Sequence, residues 1–226
     1  MKNDISIVNN KKNIIIEVSA DNIDDELDID LYTQNYTAVT PNIIKKIESK
    51  AIRCSYEYEL YVLFGKNVLA MDKSTYFNQY SIQNGYTIEL HHSPFTLFDI
   101  TETVALKHLK LDGFFRDMLV AEEVIKLHFE KKVGLMPVDP TTHELIHSQS
   151  LIVHPDIPQG DWRAFIEEYK EYMSEEVREK VREIEYLSTT KMDKYPEILQ
   201  KKLVTIKNNK IESLYNFELP KLLPTK

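Results

Sequence analysis

The sequence predicts an α+β protein, in which a small core of short strands and one short helix carries a two-helix insertion and further flanking helices. Charged residues make up 28% of the 226-residue chain and only 5 residues are glycine, a composition that favours helices. Short β-prone runs separate the helical stretches, and two of these runs flank a pair of helices. The hydrophobic fraction of 42% allows a sizeable buried core.

In the N-terminal third, the residue pattern predicts a strand, an acidic segment and a helical region. Residues 13–18 are a short β-prone run. Residues 21–30 are densely acidic with interspersed Ile and Leu, which indicates either a solvated linker or a segment that docks a partner or mimics nucleic acid. Pro41 suits the first turn of a helix, and Asn84-Gly85 predicts a turn.

The middle of the chain alternates between extended and helical patterns. In order, these are a β-prone run at 86–90, helices at 97–109 and 113–132, an extended segment at 133–138, a short helix at 143–147 and a strand-like run at 150–154. In the second long helix, a 4-3-4-3 spacing predicts one apolar face, formed by Phe114, Met118, Ala121, Ile125 and His128. Asp139-Pro140 opens a turn ahead of the short helix, and Thr141 or Thr142 can cap it.

The C-terminal part predicts two helices and an apolar tail. One apolar face runs from Trp162 to Ile184 and indicates a single long amphipathic helix. A further helix is expected near Tyr195 to Ile206. The tail is too apolar to remain solvated, and we expect it to pack on the domain or on a partner; its large apolar residues are Leu214, Phe217, Leu219, Leu222 and Leu223.

These elements divide the chain into four predicted parts. They are an N-terminal strand and acidic segment (1–40), a helical region (41–85), a strand–helix core with its helical insertion (86–154), and C-terminal helices with the apolar tail (155–226).

Composition excludes several classes of protein. Cys54 is the one cysteine, so neither an internal disulfide nor a cysteine-based zinc site can form. No apolar run is long enough to span a bilayer and no signal-peptide pattern is present, which predicts a cytoplasmic protein without membrane contact. The formal net charge of −8 counts against a protein that coats nucleic acid, although it leaves room for a local DNA site.

Four of the seven histidines form a pattern with metal-ligand spacing. His143 and His147 are one helical turn apart, so their imidazoles can reach one ion. A third ligand must come from elsewhere, and His91 or His92 in "ELHHSP" can supply it while the other remains free for chemistry. For the isolated residues His108, His128 and His154, packing is the simpler interpretation.

The segments "ELHHSP", "GLMPVDP" and "TTHELIH" together resemble the HNH, or ββα-metal, nuclease motif in its double-histidine form, over roughly residues 86–154. Phage-encoded HNH proteins often show this arrangement. The resemblance implies a phage protein that hydrolyses DNA phosphodiester bonds with one divalent ion (Zn, Mg, Mn or Ni). It implies that His92 is the general base; the implied metal ligands are His91, His143 and His147. Glu89, Asp139 or Thr142 would then support the site.

The sequence departs from the family pattern at three points. Gly134 stands where the family places its orienting asparagine. The interval between His92 and His143 is long, because two predicted helices replace the usual loop. On a regular strand His91 and His92 point to opposite faces, so both can serve one site only if the chain ends or bends there, as Pro94 could allow.

Two alternatives remain open at this level. A phage factor without catalytic activity, for example a subunit of a replication, packaging or transcription assembly, could keep the same scaffold and metal. The sequence "HELIH" also satisfies the HExxH zinc-peptidase signature, in which Glu144 would be the general base. Candidate third ligands for a peptidase are Glu167, Glu168 and Glu171. The predicted partners are DNA, or a protein bound through residues 21–30 or through the tail.

Overall fold

A computed structural model describes the protein over residues 35–190 in full. Outside this range it describes the backbone of four strands and the isolated residues 194, 196, 197 and 202. The acidic run at 21–30 and the apolar tail from Leu214 onward therefore lie outside the described residues.

The helices in the described part form close to where the sequence predicts them. They are α1 (Pro41–Lys46), α2 (Tyr56–Asn67), α3 (Leu97–Asp112), α4 (Asp117–Phe129), α5 (Pro140–His147), α6 (Trp162–Tyr169) and α7 (Glu175–Thr189). Pro41 occupies the first turn of α1 as predicted, next to the capping residue Thr40. This helix continues as a π-helix over Ile47–Ile52.

The strands are short and pair in small sheets. They are β1 (Ser6–Asn10), β2 (Asn13–Glu17), β3 (Asn35–Tyr36), β4 (Glu89–His92), β5 (Phe115–Arg116), β6 (Leu135–Val138), β7 (Ile152–Val153), β8 (Leu203–Lys207) and β9 (Lys210–Glu212). The pairs β1–β2, β3–β5, β4–β6 and β8–β9 are antiparallel, whereas β7 and β8 are parallel. The mixture of helices and small sheets confirms the α+β class. Two helices, α3 and α4, lie between β4 and β6.

The long helix expected from Trp162 to Ile184 is two helices. Its apolar face is continuous in sequence because both helices bury their apolar residues in the same core. The chain breaks because Ser174 caps a new helix, its hydroxyl accepting the Val177 amide hydrogen. The prediction of one helix was therefore wrong at residues 170–174.

Two further expectations need correction. The helix predicted to run to Ile206 gives way to β8, since Leu203–Lys207 pairs with β7 and β9. In the second long helix, Phe114 precedes α4 and Met118 is exposed, while Ala121, Ile125 and His128 are buried as expected. The helix begins only at Asp117, so the apolar face starts later than the sequence spacing indicates.

One large apolar core joins the helices, and a smaller apolar core supports helix α5. The large core contains residues of α1 to α4, α6 and α7. The small core consists of Tyr76, Phe77, Met136, Val138 and Leu151, against which Leu145 and Ile146 of α5 pack. Because α5 is only eight residues long, this packing rather than helix propensity holds it in place.

Candidate metal centre

Strands β4 and β6 and helix α5 form one continuous local unit. In the antiparallel pairing His91 lies opposite Met136 and Glu89 lies opposite Val138. Asp139 follows Val138 directly and caps α5, so the helix begins where β6 ends. This connection places the first turns of α5 beside the start of β4.

Asp139 fixes the start of α5 through three hydrogen bonds. Its carboxylate accepts the backbone amide hydrogen of Thr142 at 3.0 Å and the Thr142 hydroxyl at 2.8 Å. The Ser74 hydroxyl donates to the same carboxylate at 2.9 Å. All three residues are buried, so α5 is fastened both to its own first turn and to the loop that contains Ser74. No sequence signal identified Ser74, because it is 65 residues away from its partner.

Replacing Asp139 by Ala should destabilise the fold by about 2 kcal/mol or more, because a helix cap is lost and two buried hydroxyls, those of Ser74 and Thr142, lose their acceptor. Urea denaturation of the metal-free protein measures the change. Asp139→Asn keeps one acceptor oxygen and should recover part of the loss, whereas equal stability of Asp139→Ala and the wild type would contradict the capping role.

Three imidazoles converge at the outer face of this unit. One ring nitrogen from each of His91, His143 and His147 lies within 4.8 Å of the other two. The Nε2 atoms of His143 and His147 are 3.0 Å apart. Two nitrogens bound to one tetrahedral zinc ion are about 3.3 Å apart. The distance between His143 and His147 is close to this value, and His91 lies near enough to both for the three imidazoles to form a candidate donor set.

The environment keeps His91 in the protonation state that a metal ligand needs. Burial, together with the nearby imidazoles of His143 and His147, lowers the pKa of His91 to about 4. Its ring is therefore neutral at physiological pH. A neutral imidazole offers a lone pair to a metal, whereas an imidazolium cannot.

Glu89 contacts the triad from the same strand as His91. Its Oε2 is in ion-pair contact with Nδ1 of His143. Glu89 and His91 are two residues apart on β4, so their side chains lie on the same face. Of the supporting residues expected from the sequence, Glu89 contacts a triad imidazole directly. Asp139 and Thr142 instead form the N-terminal cap of α5. Glu144 is exposed on α5.

His92 lies apart from the triad. Its Nε2 is 2.8 Å from Nε2 of His128, a buried residue of α4. Nδ1 of His128 donates to the carbonyl oxygen of Val124 at 2.7 Å, so its Nε2 accepts and His92 donates. Burial and the neighbouring imidazole of His128 lower the pKa of His92 well below its usual value. The two adjacent histidines thus point to opposite faces of β4, and Pro94 does not bring them together; the general-base role of His92 stays a prediction.

Gly134 occupies a position that cannot carry a side chain without rearrangement. A Cβ atom there would lie 2.0 Å from the carbonyl oxygen of Ser93. The close approach belongs to the β4–β6 pairing, since the Ser93 amide donates to the Gly134 carbonyl at 3.0 Å. An orienting asparagine would therefore not fit where the HNH pattern has one.

A cleft of about 630 Å³ adjoins the triad. Its lining includes His91, His92 and His147, together with Lys180 and Ile184 of α7 and Lys202. Lys180 is paired with the buried Asp99, with Nζ to Oδ1 at 2.6 Å. Most of the remaining lining is apolar, and it includes Pro94, Ile146, Leu151, Ile152, Val153 and Pro155.

No helix among the described residues is long and apolar enough to span a bilayer.

The mixed α+β fold and its histidine triad, which extends from the buried His91 to the exposed His147, define a candidate metal-binding protein. Comparison with known families identifies the family to which the chain belongs. A family model described as bacteriophage G278-like virion protein matches residues 1–214. The chain therefore belongs to this family, which confirms the expected phage origin. It is not an HNH family model, so the nuclease resemblance stays a prediction. The comparison with curated proteins gave no match, and the comparison with solved structures gave none either.

Proposed function

We propose that this chain is a metal-binding component of the phage particle. Its ββα-metal unit, formed by β4, β6 and α5, would bind one divalent ion through His91, His143 and His147. The observation that carries the proposal is the convergence of these three imidazoles within 4.8 Å. The virion family points to the phage particle as the location of the protein.

The donor set favours a late first-row metal. Three imidazole nitrogens suit Zn²⁺ and Ni²⁺, whereas Mg²⁺ prefers oxygen ligands and retains its water. A bound metal of this kind can act as a Lewis acid, or it can link protein segments without chemistry. In this chain it would join β4 to α5.

A structural or partner-binding role is better supported than catalysis. His92, the residue expected to act as general base, uses its Nε2 in a buried hydrogen bond to His128. Gly134 leaves no space for an orienting asparagine. We therefore infer that the ion holds the unit together within a virion protein. This role shares the absence of catalysis with the second alternative raised by the sequence, but it places the protein in the phage particle instead of in a replication, packaging or transcription assembly.

One observation favours an HNH-type endonuclease as the second candidate. Three protein ligands leave a coordination position open, which is the arrangement of catalytic rather than structural zinc sites. The adjoining cleft would give a substrate access to that position. Against this candidate, much of the lining is apolar, and Lys180, one of the two lysines of the cleft, is paired with Asp99.

An HExxH peptidase is supported less well. The third residue near His143 and His147 is His91 on an upstream strand, and none of the predicted glutamates joins this group within the described residues. Of these, Glu168 pairs with Lys132.

Metal analysis of the purified full chain tests the proposal. We expect about one equivalent of Zn²⁺ or Ni²⁺ per chain, and we expect His143→Ala to lose it because two imidazoles do not make a stable site. His154→Ala is the matched control, since this histidine lies near Asp156 and not in the triad. Equal metal content in His143→Ala and the wild type would overturn the proposal.

A nicking assay on supercoiled DNA separates the two candidates. With Mg²⁺, Mn²⁺, Zn²⁺ or Ni²⁺ supplied, we expect no cleavage. Cleavage that disappears in His92→Ala while the metal is retained would establish the nuclease instead. Peptide hydrolysis that disappears in Glu144→Ala would establish the peptidase.

A further inference from the structure

We infer that Glu89 is a positioning residue for the metal, and that its carboxylate orients His143 and selects the nitrogen that binds the ion. The inference rests on the proposed metal-binding function and extends it to a residue that is not itself a member of the triad. It starts from the contact between Glu89 Oε2 and His143 Nδ1.

The strand pairing explains why Glu89 reaches this histidine. Glu89 lies opposite Val138, the last residue of β6. The cap and first turn of α5 follow immediately, and His143 lies just beyond them. Buried hydrogen bonds to Asp139 hold the start of the helix, so the distance between the carboxylate and the imidazole is set by rigid elements on both sides.

The contact determines the tautomer of His143. A carboxylate accepts, so the proton of a neutral His143 ring lies on Nδ1 and its Nε2 carries the lone pair. That same Nε2 faces Nε2 of His147 at 3.0 Å. Without an ion, His147 donates its Nε2 hydrogen across this gap. With an ion, the lone pair of His143 is already directed to the shared position, and the proton of His147 must move or leave.

The charge of Glu89 acts in the same direction. A carboxylate on the outer nitrogen makes the imidazole a better electron donor and offsets part of the charge of a divalent ion. Removing such a partner weakens metal affinity by about 10-fold to 100-fold in metalloproteins. Because the side chain of Glu89 is 41% exposed, we expect the lower part of this range.

Titration of the full-length, metal-free protein with Zn²⁺ and with Co²⁺ tests the inference. Glu89→Ala should raise the dissociation constant by about 10-fold or more and change the visible absorption of bound Co²⁺, because His143 is then free to rotate. Glu89→Gln keeps a carbonyl oxygen that can accept from Nδ1, and it should recover most of the spectrum but only part of the affinity.

Glu122→Ala is the matched control, because it removes the same charge from an exposed position of α4. It should leave both affinity and spectrum unchanged. If Glu89→Ala binds Zn²⁺ and Co²⁺ like the wild type, the role of Glu89 is overturned while the metal site stands. If the wild type binds neither ion, the proposed function and this inference fall together. If Glu122→Ala lost as much metal affinity as Glu89→Ala, the positioning role of Glu89 would also be overturned, because the loss would then come from the change in net charge.

Discussion

The variant Gly134→Ala should lose about 3 kcal/mol or more of its free energy of unfolding, one of the largest effects expected of a single substitution in this chain. The added Cβ would lie 2.0 Å from the Ser93 carbonyl oxygen, a backbone atom that cannot rotate away. Relief requires β4 and β6 to separate where Ser93 and Gly134 are hydrogen-bonded. Urea denaturation, with midpoint and slope both measured, would quantify the loss.

Gly113→Ala is the control for this effect. Gly113 has a positive φ of 77° at the end of α3, but nothing lies within 4 Å of the position of an added Cβ. Its substitution should cost only about 1 kcal/mol, from backbone strain alone. If the two variants were equally stable, the close approach of Gly134 to Ser93 would not restrict the β4–β6 pairing. Because β4 carries His91, Gly134→Ala should weaken metal binding as well.

The helices were predictable because their signals are local. Apolar periodicity and capping residues lie within one segment, and α1, α3 and α5 begin close to the expected residues. The break between α6 and α7 escaped prediction because both helices bury their apolar faces in one core. Strand β8 escaped because its pairing with β7 joins segments about 50 residues apart, and such pairing overrides local preference.

The triad was predictable for a different reason. The spacing of His143 and His147 fixes them on one face of a helix. The β-prone run predicted at 86–90 leads directly into His91, so only the pairing of β4 with β6 remained to be supplied by the fold. The partner of His92 could not be predicted, because His128 is 36 residues away and reaches it only when α4 packs beside β4. Strand alternation already indicated that the two adjacent histidines diverge.

Lowering the pH from 6.5 to 4 should remove about 3 kcal/mol or more of stability from the metal-free protein, because His128 is buried in its neutral form and His91, whose pKa is also lowered to about 4, adds to the loss. Complete burial is the main cause that lowers the pKa of His128 to about 4, from an ordinary value of 6.5. Above pH 6.5 the ring is neutral in both the folded and unfolded chains, so this contribution to stability is complete. Between pH 6.5 and 4 only the unfolded chain binds the proton, and stability falls by about 1.4 kcal/mol per pH unit.

The neighbouring groups either strengthen this pH dependence of stability or leave it nearly unchanged. His92 is buried beside His128 and its pKa is lowered well below the usual value, so its protonation destabilises the fold in the same direction. For Glu123, burial opposes ionisation, but hydrogen bonds from His108, Lys107 and Tyr169 lower its pKa to about 2. Its stabilising charge is therefore lost only below about pH 4.5, so it overlaps the histidine window only at its acid end and there adds to the fall in stability.

Urea denaturation at half-unit steps of pH, with a chelator present, measures the slope. The steepest fall should lie between pH 6.5 and 4, and His154→Gln should keep the wild-type slope because this residue lies outside the buried pair. A flat profile over that interval would mean that His128 takes up its proton as readily in the folded chain as in the unfolded one. The hydrogen bond from its Nδ1 to Val124, which already occupies one nitrogen, leaves only Nε2 to receive that proton, and Nε2 faces His92. Acid would therefore either break this contact between α4 and β4, the strand that carries His91, or require His92 to carry its proton on Nδ1 and accept from His128.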